Sequence, residues 1–337
     1  MRKAVLLSAI LAVAGALATG VQASPAYGPN LEQFPYPFPV ERFEFDSQGQ
    51  RLSMAYMDVK PERPNGRTVL LLHGKNFCGA TWEGTIRPLA AAGYRVVVPD
   101  QVGFCKSTKP AHYQYSFHQL AANTRALADR LGIGRVTVMG HSMGGMLAMR
   151  YALVHPDGLD GLVLVNPIGL EDWKAEGVPY QSVDSWYQSE LKTSAEGIRA
   201  YQKATYYSGE WRPEYDRWVE MLAGMYRGEG RELVAWNQAL TYDMVYTQPV
   251  VHELEKIRVP TLLLIGERDN TAIGKALAPP EVQKRLGNYA ELGPRTASRI
   301  PNATLVRFPE LGHSPQIQQP ARFNAALLEG LERLGAR

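Results

Sequence analysis

Cysteine is scarce in this 337-residue chain, which has only two, and neither sign of charge predominates, with 36 Lys and Arg against 33 Asp and Glu. The sequence has no C-x-x-C or H-E-x-x-H metal motif, no phosphate-binding P-loop and no dinucleotide-binding glycine fingerprint after its first parallel strand. We therefore expect a function that needs no metal and no cofactor. Because nucleic-acid binding depends on clustered cations, the near balance of charge also predicts no nucleic-acid partner.

Long apolar runs are also absent, apart from one at the N-terminus. Residues 1–23 combine a basic start, an apolar stretch from Ala4 to about Ala18 and a small-residue ending, an order typical of a secretory signal peptide. A retained membrane anchor is the alternative, but the stretch is shorter than the roughly 20 residues of a spanning helix. Without Arg2 and Lys3 the net charge falls from +3 to +1. We expect an exported protein, periplasmic or secreted, with no stable membrane span after removal of the signal.

Apolar runs bounded by Gly or Pro alternate with helical patterns over most of the remaining chain. A hairpin over 42–59 comes first, and later strands are predicted at 68–72, 94–98, 135–139, 161–165, 261–265 and 304–308. Helices are predicted at 81–92, 117–131, 143–154 and 320–334. Continuous Val and Leu runs suit strands buried on both faces, and strand–helix–strand repetition implies a parallel sheet. We predict an α/β fold with a mostly parallel central sheet flanked by helices.

The alternation of strand and helix patterns is interrupted between Leu170 and Val250, where no strand-like run occurs. The segment holds five of the six Trp and nine of the seventeen Tyr but no Phe. We predict a helical insertion at 170–250 in a single core formed by 24–169 and 251–337. Because Tyr and Trp combine apolar faces with a polar tip, the insertion suits a small, apolar to amphipathic substrate. Packing of the insertion itself is the alternative use of these aromatic residues.

The strand at 135–139 is followed by Gly-His-Ser-Met-Gly at 140–144, which opens the next helix. In a G-x-S-x-G motif between a strand and a helix, small residues relieve a crowded turn that exposes the serine hydroxyl. Ser142 is therefore the predicted nucleophile. The alternative is a glycine-rich turn whose serine only caps the helix.

A serine hydroxyl needs a base to take its proton, and an acid orients that base. His313 follows the last predicted strand and Asp269 follows the strand at 261–265, which gives the chain order Ser, Asp, His. Since the carboxyl ends of parallel strands share one edge of a sheet, we expect the three side chains to meet there. Asp269 could instead be an ordinary turn residue, with Glu267 as the acid.

A tetrahedral intermediate also needs backbone N–H donors for its oxyanion. The N–H of Met143, directly after the nucleophile, is the first candidate. The second is expected in the loop after the strand at 68–72, from Lys75, with Asn76 as the alternative. For the side chain of Lys75, a solvated position with no role in the site is the alternative.

Taken together, these segments resemble the α/β-hydrolase superfamily. The resemblance rests on His-Gly at 73–74, Asp-Gln-Val-Gly-Phe-Cys-Lys-Ser at 100–107, Gly-His-Ser-Met-Gly at 140–144, Gly-Glu-Arg-Asp at 266–269 and Gly-His-Ser-Pro at 312–315. It covers nearly all of the chain beyond the signal except the insertion. It implies that the insertion follows the sixth strand and forms a helical cap over the active site. The motifs are specific for fold and triad but not for substrate.

One departure from the family pattern concerns the two cysteines. Cys105 stands where related proteins commonly have Gly in a D-x-x-G-x-G-x-S pattern, and Cys78 lies in the oxyanion loop. In the family these loops follow neighbouring strands, so a disulfide is expected if the Cα atoms lie within about 7 Å. Such a bond suits an oxidising compartment and would stiffen the oxyanion loop. Two buried thiols are the alternative.

These residues predict hydrolysis of a carboxylic ester through an acyl-enzyme on Ser142, with His313 as base and then acid and Asp269 orienting it. Carbon–carbon bond hydrolysis, lactone hydrolysis and acyl transfer use similar triads, although an export signal counts against the carbon–carbon enzymes. A serine at the elbow disfavours epoxide hydrolases and haloalkane dehalogenases, which use aspartate there. A non-catalytic receptor on the same fold is the alternative from another class. The sequence does not specify an oligomeric state.

Overall fold

The computed structural model of the protein describes residues 25–335, which contain an eight-stranded sheet with helices on both faces. The strands are β1 Glu41–Ser47, β2 Gln50–Val59, β3 Thr68–Leu72, β4 Arg95–Pro99, β5 Val136–His141, β6 Leu159–Val165, β7 Thr261–Gly266 and β8 Ala303–Phe308. Their order across the sheet is β1-β2-β4-β3-β5-β6-β7-β8. β2 pairs antiparallel with β1 and β4, and the remaining pairs are parallel. The predicted signal peptide lies outside the described residues.

Helices connect the parallel strands and also form the segment between β6 and β7. They are α1 Glu83–Ala91, α2 Phe117–Arg130, α3 Met143–Val154, α4 Trp173–Glu176, α5 Val183–Glu190, α6 Ala195–Tyr201, α7 Asp216–Tyr226, α8 Arg231–Thr247, α9 Pro280–Arg285, α10 Tyr289–Arg299, α11 Pro315–Gln318 and α12 Pro320–Gly335. The six parallel strands and α1, α2, α3 and α12 begin and end within a residue or two of their predicted bounds, and the α/β fold class is confirmed. Within the part of the chain that the structure describes, no helix is both long enough and apolar enough to cross a membrane.

Burial explains why the strands lack hydrophobic alternation. Every residue of β5 and β7 is buried, because helices cover both faces of the sheet. On one face α1 and α12 pack through residues such as Ile86, Leu89 and Phe323. On the other face α2 and α3 pack through residues such as Leu120 and Met146. The strands of the sheet, and the loops at their carboxyl ends, are therefore held from both sides.

Residues 170–250, which we call the helical insertion, follow β6 and contain α4 to α8 and a short π-helix at Gln202–Tyr206, with no strand. Several of its aromatic side chains pack on one another. Tyr207 and Tyr215 stack with ring centroids 3.8 Å apart, and Trp186 stacks on Tyr242 at 4.3 Å. Part of the aromatic content is therefore structural, since a segment of helices needs an apolar interior of its own.

Candidate active site

Ser142 lies on the sharp turn between β5 and α3, with φ of 58° and ψ of −122°. This left-handed conformation is strained for a residue with a side chain. A Cβ atom on Gly140 would lie 2.0 Å from the Gly144 carbonyl oxygen, and one on Gly144 would lie 2.3 Å from the Leu72 carbonyl oxygen. The turn therefore requires both glycines. The serine side chain makes no capping hydrogen bond to α3, so helix capping does not explain its presence.

His313, after β8, hydrogen bonds to Asp269, after β7. Its Nδ1 lies 2.6 Å from the Asp269 Oδ2 atom, and both side chains are fully buried. Because a carboxylate accepts here, Nδ1 carries the proton and Nε2 is the nitrogen left for proton transfer. Nε2 has no hydrogen-bond partner among residues 25–335.

The carboxylate of Asp269 is held by donors from several directions. Its Oδ1 accepts hydrogen bonds from the Thr271 N–H at 2.9 Å and from the Thr271 hydroxyl at 2.6 Å. Glu267, the alternative acid, forms an ion pair with Arg307 on β8 instead. The geometry therefore favours Asp269 over Glu267 as the partner of His313.

Asn166 is a functional candidate that the sequence motifs do not single out. It directly follows β6, is fully buried, and donates from Nδ2 to the Asp269 Oδ2 atom at 2.9 Å and to the Gly266 carbonyl oxygen at 3.0 Å. Its Oδ1 accepts from the Gly266 N–H at 2.8 Å. The only signal in the sequence is a polar side chain placed directly after a buried strand.

His141 connects the His313 loop to the turn that carries Ser142. Its Nε2 donates to the His313 carbonyl oxygen at 2.7 Å, and the two rings lie 4.7 Å apart between centroids. Burial, together with the neighbouring His313, lowers the pKa of His141 well below its ordinary value. His141 is therefore a neutral donor. Because it directly precedes Ser142, its hydrogen bond holds the His313 loop against the turn that carries Ser142.

His73 plays a similar part between the loops that follow β3 and β4. Its Nδ1 donates to the Gly74 carbonyl oxygen at 2.8 Å, and its Nε2 accepts from the Gln101 N–H at 3.0 Å. Burial lowers its pKa from the ordinary value, although the nearby Asp100 opposes this effect. A neutral ring with both nitrogens engaged orients loops and has no free nitrogen for proton transfer.

Two backbone N–H groups near Ser142, those of Met143 and Lys75, are the candidates for the oxyanion site. Met143 begins α3, where the first N–H groups have no partner within the helix. The loop that carries Lys75 passes close by, because a Cβ on Gly74 would lie 2.9 Å from the Cβ of Ser142. Neither the Met143 N–H nor the Lys75 N–H donates a hydrogen bond to another group within residues 25–335. Both are free to meet a ligand.

The side chain of Lys75 is buried, which excludes the alternative that it is solvated. Only 6% of the residue is exposed. Its ammonium donates to the Gln238 Oε1 atom at 2.7 Å and lies 3.6 Å from the centroid of the Tyr242 ring. Burial lowers the pKa of Lys75 to about 8, and the nearby Glu190 opposes that shift. The helical insertion supplies these partners, so the sequence of the loop alone does not predict them.

Tyr206, in the π-helix of the insertion, covers His313. The two rings lie 4.7 Å apart, and the Tyr206 hydroxyl accepts from the Asn76 Nδ2 atom at 3.0 Å. Its carbonyl oxygen accepts from the Ser314 N–H at 3.3 Å. Ser142 is 4% exposed and His313 is fully buried. Tyr206 therefore brings the insertion into contact with the loops that carry His313 and Asn76.

Cys78 and Cys105 form a disulfide with Cα atoms 5.8 Å apart. The bond joins the loop after β3 to the loop after β4, and both residues are buried. Cys78 belongs to the same loop as Lys75 and Asn76. The disulfide and His73 thus make two independent links between the same two loops.

A cavity of about 360 Å³ lies between these loops and the helical insertion. The core contributes Lys75, Asn76, Phe104 and Cys105 to its lining, and the insertion contributes the rest, from Ser189 to Tyr242. Neither Ser142 nor His313 lines it. The cavity therefore meets the candidate site only at the loop that carries Lys75 and Asn76.

Comparisons with known sequences agree with this fold. Residues 67–320 match the family model of the alpha/beta hydrolase fold. The putative carbamate hydrolase RutD of Caulobacter sp. (strain K31) is 29% identical over 276 residues, which span 79% of this chain and 90% of that protein. The 2-hydroxy-6-oxo-6-phenylhexa-2,4-dienoate hydrolase of Burkholderia cepacia is 24% identical over 279 residues, or 79% and 88% of the two chains.

Solved structures agree as well. A probable hydrolytic enzyme from Pseudomonas aeruginosa PAO1 is 70% identical and has a TM-score of 0.91 over 91% of this chain and 99% of that one. A thermophilic esterase from Thermogutta terrifontis has a TM-score of 0.66 at 22% identity, over 88% and 99% of the two chains, a likeness of fold alone. With the family model matching three quarters of its length, the chain belongs to the α/β-hydrolase family.

Proposed function

We propose that the protein is a serine hydrolase that cleaves a carboxylic ester through an acyl-enzyme on Ser142. The observation that carries this proposal is the state of His313, whose Nδ1 is bonded to Asp269 while its buried Nε2 has no partner among residues 25–335. That is the arrangement of a base awaiting the proton of a nucleophile. Ser142 supplies the nucleophile from the strained turn beside it.

In the proposed reaction the Ser142 oxygen attacks the ester carbonyl carbon while its proton passes to Nε2 of His313. The N–H groups of Lys75 and Met143 bind the resulting oxyanion. The carbon–oxygen bond to the alcohol then breaks, and the alcohol leaves with the proton from Nε2. Water attacks the acyl-enzyme, gives one proton to Nε2, and the acid departs as Ser142 regains that proton. Asp269 stays ionised and stabilises the imidazolium in both halves.

The same proposal assigns residues 170–250 as a cap over the core formed by 24–169 and 251–337, and residues 1–23 as an export signal. Tyr206 supports the cap, since it lies over His313 at 4.7 Å between ring centroids. The buried disulfide supports export to a periplasmic or extracellular location, because disulfides persist in oxidising compartments. The substrate is a small acyl compound, since the cavity measures about 360 Å³.

Loss of activity on substitution of the nucleophile tests this function. Wild-type protein should release 4-nitrophenol in a burst from a short-chain ester and should be labelled by a fluorophosphonate. Ser142→Ala should lower kcat at least about 10³-fold, because removing one triad member disables the whole unit. Ser298→Ala is the matched control, since Ser298 is an exposed serine on α10. Equal turnover in Ser142→Ala, or no labelling of wild type, would refute the proposal.

A carbamate is the second candidate substrate, because a relative at 29% identity is a putative carbamate hydrolase. Esters, carbamates, lactones and a carbon–carbon substrate with a neighbouring ketone should therefore be compared on one preparation. We expect the highest kcat/KM for esters. Faster hydrolysis of a carbamate that still requires Ser142 would replace the ester assignment and leave the triad in place.

A further inference from the structure

The ammonium of Lys75 is a buried charge with incomplete pairing. It has three N–H donors. One donates to the Gln238 Oε1 atom at 2.7 Å and the group also lies over the Tyr242 ring. It forms no ion pair within 4.0 Å of a carboxylate among residues 25–335, although the charge of Glu190 acts on it from farther away. Since a buried cation is costly unless it is paired, the cavity that it borders is suited to an anion.

Gln202 is a second polar group at the same cavity. It is 1% exposed and begins the π-helix, a rare element that often marks functional sites. Neither its amide oxygen nor its amide nitrogen has a hydrogen-bond partner among the described residues. Buried amides are nearly always hydrogen bonded, so an unpartnered amide at a cavity wall is suited to bind a ligand. The Gln202 amide and the Lys75 ammonium both line this cavity, which therefore offers two kinds of donor to an acceptor group.

The other charged groups that line the cavity are Glu190 and Lys192. Glu190, at the end of α5, already accepts a hydrogen bond from the Tyr226 hydroxyl. Lys192 is exposed at the rim. Lys75 is therefore the buried cation of the interior, and its pKa of about 8 leaves it mostly protonated at pH 7.

Apolar side chains form much of the remaining wall. They come from the loop after β4 and from α6, α7 and α8, and include Phe104, Ile198, Leu222, Met225 and Val234. This wall suits methylene groups, whereas the Lys75 and Gln202 side chains suit a charged end. The lining thus fits a ligand that is apolar along its length and anionic at one point.

We propose that this cavity binds the carboxylate of the substrate's acyl part, held by the Lys75 ammonium and the Gln202 amide, so that the enzyme prefers half-esters of short dicarboxylic acids. The inference rests on the proposed function, because Lys75 supplies both the oxyanion donor and the group that binds the carboxylate. Its backbone N–H faces the ester carbonyl and its side chain binds the carboxylate. The short span of one lysine side chain therefore sets the separation of the two groups and favours short acyl chains.

The preference is measured with ethyl half-esters of glutaric, adipic and suberic acids against ethyl esters of neutral acids of the same length. Acid release by the full mature protein is followed at constant pH. Wild type should show a higher kcat/KM for the anionic esters, chiefly through a lower KM. Lys75→Met should lower the anionic-to-neutral ratio of kcat/KM at least tenfold, and Gln202→Leu should lower it less. Lys203→Met is the matched control, because it removes an exposed lysine next to Gln202 that does not line the cavity.

A binding measurement separates this inference from the proposed function. Adipate should bind to Ser142→Ala in calorimetry, and the added Lys75→Met change should weaken that binding at least tenfold. Lys75-dependent binding without any ester turnover would overturn the proposed function and keep the carboxylate site. A different result would overturn the carboxylate site alone. In that case ester turnover would need Ser142, but folded Lys75→Met and Gln202→Leu would keep the anionic-to-neutral ratio of kcat/KM unchanged and adipate would not bind.

Discussion

At the scale of single residues, the candidate site depends on side chains that hold other side chains in place. Asn166 is the most connected of them, since it bridges β6, β7 and Asp269 with three hydrogen bonds. Gly266 is buried, so its N–H would lose its partner if the amide were removed, whereas its carbonyl oxygen would keep the Asp269 N–H at 3.3 Å. A positioning role follows, because Asn166 touches Asp269 rather than the reacting atoms.

Asn166→Ala should therefore impair both stability and turnover. Leaving the buried Gly266 N–H unpaired should cost about 1 to 3 kcal/mol of unfolding free energy. Loss of a donor to Asp269 should misplace His313 and lower kcat about 10- to 100-fold, with KM little changed. Urea unfolding and steady-state kinetics measure the two effects. Asn302→Ala is the control, because it removes an amide that bonds a backbone carbonyl at the surface. Equal effects in the two variants would contradict the positioning role.

At the scale of elements, the loops after β3 and β4 are cross-linked to each other. The Cys78–Cys105 disulfide and the His73 hydrogen bond to the Gln101 N–H join them at different points. Both loops also contribute to the cavity wall, through Asn76 and Cys105. Rigidity in this pair of loops therefore affects the position of the proposed oxyanion donor as well as stability.

Removal of the disulfide should lower stability without removing the fold. The two cysteines are 27 residues apart, and closing a loop of that length contributes about 3 to 4 kcal/mol in the chain-entropy model. Urea unfolding should show this loss for Cys78→Ser/Cys105→Ser and for reduced wild type alike. Adding a reductant to the double variant is the control, and it should change nothing. A wild-type midpoint insensitive to complete reduction would contradict the prediction.

At the scale of the whole molecule, burial of neutral histidines makes stability depend on pH. The pKa values of His73 and His141 are both lowered, chiefly by burial. In the unfolded chain each should titrate near about 6.5. Below that pH the unfolded state takes up protons that the folded state does not, so stability is present above about pH 6.5 and falls as pH decreases through the region below it.

Urea unfolding between pH 8 and pH 5 should show this loss. The slope of unfolding free energy against pH should be positive below about pH 6.5, with an upper limit of about 1.4 kcal/mol per pH unit for each proton taken up. Calorimetry in buffers of different ionisation enthalpy gives the number of protons independently. A flat or falling profile as pH rises from 5 to 7 would show that these rings are not neutral in the folded state.

Much of the fold follows from local pattern. Continuous apolar runs such as Thr68–Leu72 predict buried strands, and the spacing of Phe117, Leu120 and Leu127 predicts the inner face of α2, because these periodicities reflect burial directly. Gly140 and Gly144 predict a crowded turn for the same local reason. The catalytic roles of Ser142, His313 and Asp269 stay predictions, to be tested by the variants above.

By itself, the sequence determined the order of strands and helices, the elbow around Ser142 and the chain order of the three candidate residues, since each depends on neighbours along the chain. Only the tertiary structure decided the partners of Lys75, Asn166 and Asn76. Those contacts join residues 163, 103 and 130 positions apart. Because such contacts form where the helical insertion and separate strands meet, they leave no periodic trace in the sequence. The buried side chain of Lys75 is the clearest example.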